Sequence, residues 1–119
     1  MITPKFTSID YTQKVEVEGI EFEMDCSSKT GDFMKANVAQ LQNIAAGLPD
    51  DLVEEDAVVN FGAEVIDHVL GEGATDKIFG GGERDMTKVI DIVTYLLFVA
   101  VEFNKDRIVR LQEMAKGGE

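Results

Sequence analysis

The chain has 119 residues and a mass of 13.1 kDa, which corresponds to one domain, and 45% of its residues are hydrophobic, enough to build a core. Its 23 acidic and 11 basic residues give a formal charge of −12 and a pI of about 4.4, so direct binding to nucleic acid or to an anionic membrane surface is disfavoured. The longest apolar run, 95–101, is far shorter than the roughly 20 residues that cross a bilayer.

Cysteine content indicates the compartment. The single cysteine, Cys26, cannot form an internal disulfide, and the N-terminal residues lack the basic and then apolar pattern of a secretory signal. We therefore expect a cytoplasmic protein. Cys26 follows an aspartate and has no histidine near it in the sequence, so we interpret it as a bystander and not as a nucleophile.

The first predicted element is a β-hairpin in the region 1–25. Apolar and acidic residues alternate from Lys14 to Asp25, as in strands that bury one face. The apolar positions change parity across Gly19, which predicts two strands joined by the two-residue turn Glu18-Gly19. The stretch 5–11 is a candidate third strand, because an isolated hairpin needs further cover for its apolar face.

Two helices are predicted within the region 30–70, where apolar residues recur at steps of three and four. Thr30 or Asp32 is expected to cap the first helix, and Gly47 is expected to end it. The second helix is predicted from about residue 52 to residue 70 and is closed by a glycine. Helices are the alternative to a third strand as cover for the apolar face of the hairpin.

A glycine-rich connector over 71–85 follows the second helix. Within it, residues 74–79 are predicted to form one short helical turn, which Ile78 and Phe79 hold against the core. The spacing of glycines matches neither GxxxxGK[ST] nor GxGxxG after a strand, so we interpret the segment as a structured connector and not as a phosphate-binding loop.

The last predicted helix is the longest and covers 86–115, with Asp85 as its cap. Around 95–101 this helix is apolar on every side. A domain of this size cannot enclose one helix all round, so we expect part of this surface to meet another subunit. The whole pattern predicts a single α+β domain, 1–119, in which a hairpin of two or three strands packs with three main helices.

One group of side chains on the second helix is a candidate metal or general-base site. Glu64, Asp67 and His68 lie within little more than one helical turn. No second histidine or cysteine accompanies them, and the HExxH pattern is absent, so we interpret them as a solvated face. We expect no enzyme activity, no metal and no cofactor.

Charge is distributed unevenly along the chain. From residue 36 to residue 76 there are nine acidic residues and no lysine or arginine. Two interpretations stay open: the acids provide solubility and helix capping, or they form a docking surface for a basic partner. An extended partner peptide can also add to an edge of the hairpin.

The order of these parts, and the stretch 70–80 that reads LGEGATDKIFG, resemble one known family. The chain looks like the small tail-assembly-chaperone-like proteins of phages and prophages of Gram-positive bacteria, which show a similar G-x-G-x-x-x-K-I-F-G stretch before the last helix. The resemblance covers most of the chain. It implies a non-enzymatic role in the cytoplasm of the bacterial host, in which the protein coats the tape-measure protein and helps the tail-tube protein polymerise around it.

In that role we expect a homo-oligomer that covers its client reversibly and binds no nucleic acid. The residues expected to make the apolar contacts with the client are Ile90, Val93, Leu96, Leu97 and Phe103. The acidic residues expected to tune the choice of partner are Asp50, Asp51, Glu54 and Glu55.

Two alternative functions remain at this stage. The acidic composition is compatible with a DNA-mimicking inhibitor of a host DNA-binding protein, although the last helix carries Lys105, Arg107 and Arg110. A small phage structural or connector subunit is the other alternative, and it would form a ring of fixed stoichiometry.

Overall fold

The computed structural model describes residues 3–47 and 55–116 of the chain. The elements confirm the predicted α+β fold: a two-stranded antiparallel hairpin precedes four helices, of which the last is the longest. The short third helix lies within the predicted connector. The elements are β1 (Thr12–Val17), β2 (Ile20–Asp25), α1 (Ser28–Gly47), α2 (Glu55–Leu70), α3 (Ala74–Phe79) and α4 (Met86–Ala115).

The hairpin has the turn that the sequence predicts. Val17 pairs with Ile20, and the two residues between them, Glu18 and Gly19, have φ angles of 53° and 80°. Two positive φ angles define a type I′ turn, whose twist matches that of the strands on either side. The alternation also holds, because Val15 and the other apolar residues of the strands lie on one face of the sheet while the charged residues lie on the other.

The expected third strand is not formed: among the described residues the sheet has two strands, and 3–11 belongs to neither. The helices supply the cover for the apolar face, since β2 packs against α2 and the buried strand residues join one core with α2 and α4. The N-terminal segment runs beside the end of α4 instead, where Pro4 and Phe6 line a cavity with Leu111 and Met114. Leu111 and Met114 are half-buried in this part of α4, whereas Ile108 and Val109 remain exposed.

The start of α1 corrects the predicted cap. The helix begins at Ser28, and the carbonyl of Ser27 accepts the first backbone bond, from Gly31, at 3.0 Å. The carboxylate that bonds to the residues at the start of α1 belongs to Asp25, at the end of β2. It accepts hydrogen bonds from the hydroxyls of Ser27 and Thr30, at 2.6 Å and 2.7 Å. Thr30 therefore donates to the strand end and does not cap the helix.

The predicted connector and the cap of α4 are confirmed. Residues 74–79 form α3, with Ile78 buried and Phe79 half-buried against the core. The Asp85 carboxylate accepts a hydrogen bond from the backbone N–H of Lys88 at 3.0 Å, which is the predicted cap. The structure describes the second predicted helix from Glu55 onwards, and its expected first residues lie outside the described part.

The core lies where α1, α2 and the hairpin meet one side of α4. The α2 and α4 helices approach closely where Gly62 faces Val89. A glycine there lets the Val89 side chain of α4 pack directly against the backbone of α2. Among the described residues, no helix combines the length and the apolar content that crossing a membrane requires.

Candidate docking groove

The α4 helix carries apolar side chains on the side that faces away from the core. Phe98 is 61% exposed, Tyr95 is 44% exposed and Val101 is 36% exposed, whereas Leu96 between them is fully buried. The sequence predicts exposed apolar side chains on this helix, because 95–101 is apolar on every side and a small domain cannot enclose it all round. The fold encloses one side of the helix. Contiguous exposed aromatic residues on a small domain are typical of an interaction site.

Tyr95 and Phe98 lie beside β1, and a groove runs between the strand and the helix. It has two parts that share Tyr95, with volumes of about 400 Å³ and 360 Å³. The strand and its turn contribute residues 13–18, and the helix contributes side chains between Lys88 and Asp106. The groove floor is apolar at Val15, Val17, Ile92, Tyr95, Phe98, Val99 and Phe103.

Charged residues line the rim of this groove, and the acidic ones dominate. The lining contains five carboxylates and two lysines, Lys14 and Lys88. Each lysine already has an acidic partner: Lys14 lies 3.6 Å from Glu21, and Lys88 lies 3.1 Å from Glu18. The acidic residues of the rim are Glu16, Glu18, Asp91, Glu102 and Asp106.

The backbone of β1 also faces the groove. In a two-residue hairpin the residues that close the turn exchange hydrogen bonds, so Val17 and then every second residue of β1 bond to β2. The N–H and C=O groups of Thr12, Lys14 and Glu16 consequently point to the outer edge. Within the described residues, local side chains bond two of these groups: Asp10 accepts from the Thr12 N–H, and Gln13 donates to the Lys14 carbonyl.

The residues that the sequence analysis assigned to client contacts are distributed over the core and its border. Val93, Leu96 and Phe103 belong to the buried side of α4, and Phe103 also lines the groove floor. Ile90 and Leu97 are half-buried and pack against the core. Asp50, Asp51 and Glu54 lie outside the described residues, and of Glu55 the structure describes the backbone, as the first residue of α2.

Sequence reasoning missed Tyr95, Phe98 and Val101 as individual contact residues. They lie in the stretch that was recognised as apolar all round, but periodicity does not separate core residues from exposed ones where every helix face is apolar. The free β1 edge had a weak signal. A hairpin that lacks a third strand leaves an outer edge on each strand, and helix packing decides which edge stays open.

Glu64, Asp67 and His68 do not form a metal site. Among the described residues there is no group of three histidine, cysteine or acidic side chains that could hold a metal ion. Glu64 faces solvent as expected, but His68 stacks on Phe33 of α1, with ring centroids 3.9 Å apart. Asp67 is half-buried and accepts hydrogen bonds from Thr75, so the solvated-face interpretation does not apply to it.

Cys26 is enclosed at the end of the hairpin. Its side chain is buried, and its thiol lies 3.8 Å from the carbonyl oxygen of Met24. Burial, and to a lesser degree the neighbouring Asp25 charge, raises the pKa of the Cys26 thiol to about 11. The thiol therefore stays protonated at neutral pH, which agrees with the interpretation of Cys26 as a bystander.

Comparisons of the chain with protein-family models, with curated proteins and with solved structures found no match.

Proposed function

We propose that this protein is a non-enzymatic tail assembly chaperone of a phage or prophage. In this proposal it binds the tape-measure protein, the tail-tube protein or both during tail assembly in the host cytoplasm. The observation that carries the proposal is the exposed apolar face of α4, centred on Phe98 and Tyr95, beside an acidic groove. The resemblance of the connector 70–80 to that family supplies the identity of the clients.

An exposed aromatic pair of this kind suits reversible binding. Burying one phenylalanine or tyrosine side chain is worth about 1.5–3 kcal/mol, and association itself costs several kcal/mol. The binding energy from Phe98 and Tyr95 therefore holds a client when many copies bind along it. The binding energy of each single copy is small enough for that copy to dissociate when tube subunits arrive.

The negative charge supports the same role. With a formal charge of −12 on each copy, complexes of the protein with its client repel one another and stay apart in solution. In this proposal the tape-measure client is long and exposes apolar segments before the tube encloses it. A highly charged cover keeps such a client soluble without a permanent bond between neighbouring copies.

The first test is genetic. We would sequence the DNA on both sides of the coding region and look for a slippery run near the stop codon and a very long, helical reading frame downstream. Finding both supports the proposal and identifies the client. Finding neither a long frame nor any tail gene contradicts the proposal.

The second test is binding. The downstream tape-measure protein is produced together with the chaperone, and the complex is isolated and its dissociation constant measured. We expect Phe98→Ala to weaken binding at least tenfold, while Val109→Ala is the control, since it truncates another exposed apolar side chain of α4 that lies outside the groove. Equal effects of the two variants, or no complex with the wild-type protein, would contradict the proposal.

The two alternative functions predict different results in the same experiments. A DNA mimic would bind a purified basic DNA-binding protein of the host and release it at high salt, with Phe98→Ala having no effect. A connector subunit would show one fixed ring stoichiometry by light scattering at all concentrations. Either result would replace the chaperone proposal.

A further inference from the structure

We infer that the groove between β1 and α4 takes an extended partner segment that alternates apolar and basic residues, added to the outer edge of β1 as the third strand of the sheet. This inference deepens the proposed function, on which it rests, by naming the conformation and the charge of the client segment. It assigns the binding to strand addition and not to the packing of a client helix on α4.

The first step of the argument is the backbone of β1. Its outer edge presents the Lys14 N–H, the Thr12 carbonyl and both backbone groups of Glu16, and in the described part of the chain none of these four groups has a hydrogen-bond partner. The β1 strand contains no proline or bulge, two of the devices that block strand addition at an edge, and its lysine, Lys14, is paired with Glu21. An extended segment satisfies these groups in the ordinary manner of a sheet.

The second step is the floor. A strand added to β1 lies about 4.8 Å further out. That position is above the Tyr95 and Phe98 side chains, which line the groove beside the strand. Every second side chain of the added strand points down onto these rings, as Val15 and Val17 of β1 already do onto the core. The inward positions of the partner segment are therefore apolar.

The third step is the charge. Five carboxylates and two lysines line the groove, and both lysines are already paired with acidic residues. Glu16, Asp91 and Asp106 have no ion-pair partner among the described residues. Basic side chains at the alternate positions of the added strand lie on the same sheet face as Glu16 and complement its charge, while Asp91 and Asp106 make the α4 side of the groove negative as well.

The length of the groove fixes the size of the segment. The α4 stretch from Lys88 to Asp106 is about 27 Å long at 1.5 Å per residue. A strand rises about 3.3 Å per residue, so six to eight extended residues fill the groove. Six of them match the length of β1.

A second copy of the chain does not fit the same place. If two copies paired through their β1 strands about a two-fold axis, each β1 would take the position of the added strand on the other copy. The α4 side chains of each copy would then lie below the β1 of the other copy, where that copy already has its core. The two copies would overlap. The charge of −12 on each copy adds repulsion.

The probe is a synthetic eight-residue peptide in which valine and lysine alternate, with a fluorophore at one end. A peptide with glutamate in place of lysine is the charge control, and a third peptide carries N-methyl groups on the amides that would face β1. We expect the lysine peptide to bind the wild-type protein, more weakly as salt rises, and the other two to bind at least tenfold more weakly.

The variants locate the site. Phe98→Ala is expected to weaken lysine-peptide binding at least tenfold, while Val109→Ala leaves it unchanged. Glu16→Pro removes an edge N–H, whereas Glu16→Gln removes the charge and keeps that N–H. In hydrogen exchange, the peptide should slow the Lys14 and Glu16 amides and leave that of Val15, which already bonds to β2, unchanged.

Three outcomes overturn the inference: equal binding of the N-methylated and unmodified peptides, unchanged exchange of the Lys14 and Glu16 amides, or binding of an amphipathic helical peptide at the groove in place of the extended one.

The inference can be tested even if Glu16→Pro does not fold, because the N-methylated peptide tests the same hydrogen bonds on the wild-type protein. If the extended peptide binds and the tape-measure protein does not, the proposed function is wrong and the groove chemistry stands. If the tape-measure protein binds and the peptide does not, the inference about the groove is wrong and the proposed function stands.

Discussion

The carboxylate of Asp67 accepts two hydrogen bonds from Thr75, one from the backbone N–H and one from the hydroxyl, each 2.8 Å long. Asp67 lies on α2 and Thr75 in the first turn of α3, whose own N-terminal flanking residue, Gly73, has no capping side chain. Asp67 thus supplies the missing cap from a neighbouring helix. The short α3 is held in place by this contact and by Ile78.

The first prediction concerns Thr75. Its hydroxyl is fully buried and also lies 3.2 Å from the carbonyl oxygen of Ala63, so its removal leaves two acceptors on α2 without that donor. We expect Thr75→Val, which keeps the shape, to lower the free energy of unfolding by about 1–3 kcal/mol. Urea denaturation measures the change. Thr75→Ser keeps the hydroxyl and should lose less, and a loss that is larger for Ser than for Val would contradict this role of the hydrogen bonds.

The second prediction concerns Gly62, where α2 meets α4. Alanine favours a helix over glycine by about 1 kcal/mol. A Cβ at Gly62, however, overlaps the Cγ1 atom of the buried Val89, and overpacking of a core costs about 1–3 kcal/mol. We therefore expect Gly62→Ala to lower the thermal midpoint despite its better helix propensity.

The control for Gly62 is Gly31 in α1, where an added Cβ meets no atom within 4 Å. Gly31→Ala should raise the thermal midpoint. Val89→Ala should cost less stability in the Gly62→Ala background than in the wild-type protein, because it removes the overlapping atom. Additive effects at the two positions would show that the helices separate freely and that the close approach does not constrain them.

Some features of the fold follow directly from local sequence. The parity change across Gly19 predicts the turn, because a two-residue connection is the simplest way to keep Val17 and Phe22 on one face. Asp85 is identified as a cap because a long apolar period starts immediately after it. Each of these signals lies within a few residues of the structure that it determines.

Other features depend on residues that are distant in sequence. The Asp67–Thr75 bond spans eight positions and a helix boundary, and the role of Gly62 depends on Val89 on another helix. The candidate site shows the same limit. The apolar surplus of 95–101 predicts that some of α4 is exposed, but the position of β1 decides that Phe98 and Tyr95 border a groove.

The third prediction concerns the hairpin turn. Glu18 has a φ angle of 53°, a region in which most side chains are strained and asparagine is favoured. We expect Glu18→Asn to raise the thermal midpoint by about 2 °C or more. The lost ion pair with Lys88 is partly exposed, so it subtracts about 1 kcal/mol at most. Glu16→Asn, at an extended position of β1, is the control and should bring no gain. An equal gain at both positions would trace the effect to charge and not to the turn.

The last prediction concerns pH. Hydrogen bonds from the hydroxyls of Ser27 and Thr30 are the main cause that lowers the pKa of the Asp25 carboxyl below its ordinary value. A carboxyl whose pKa is lower in the folded than in the unfolded state stabilises the fold above the unfolded pKa of about 3.9, and this stabilisation is lost as the pH falls through the folded pKa. We therefore expect Asp25→Asn to be less stable than the wild-type protein at pH 7 and the difference to shrink below about pH 4.

Thermal midpoints of the wild-type protein and Asp25→Asn between pH 2.5 and 7 check this prediction. Asp32→Asn is the matched control, because it neutralises an exposed carboxylate of α1 for which the described part of the chain shows no hydrogen bond. Its difference from the wild-type protein should change less with pH. If the two variants instead follow the same curve, the acid sensitivity reflects the net charge of the protein and not the hydrogen bonds that join β2 to α1.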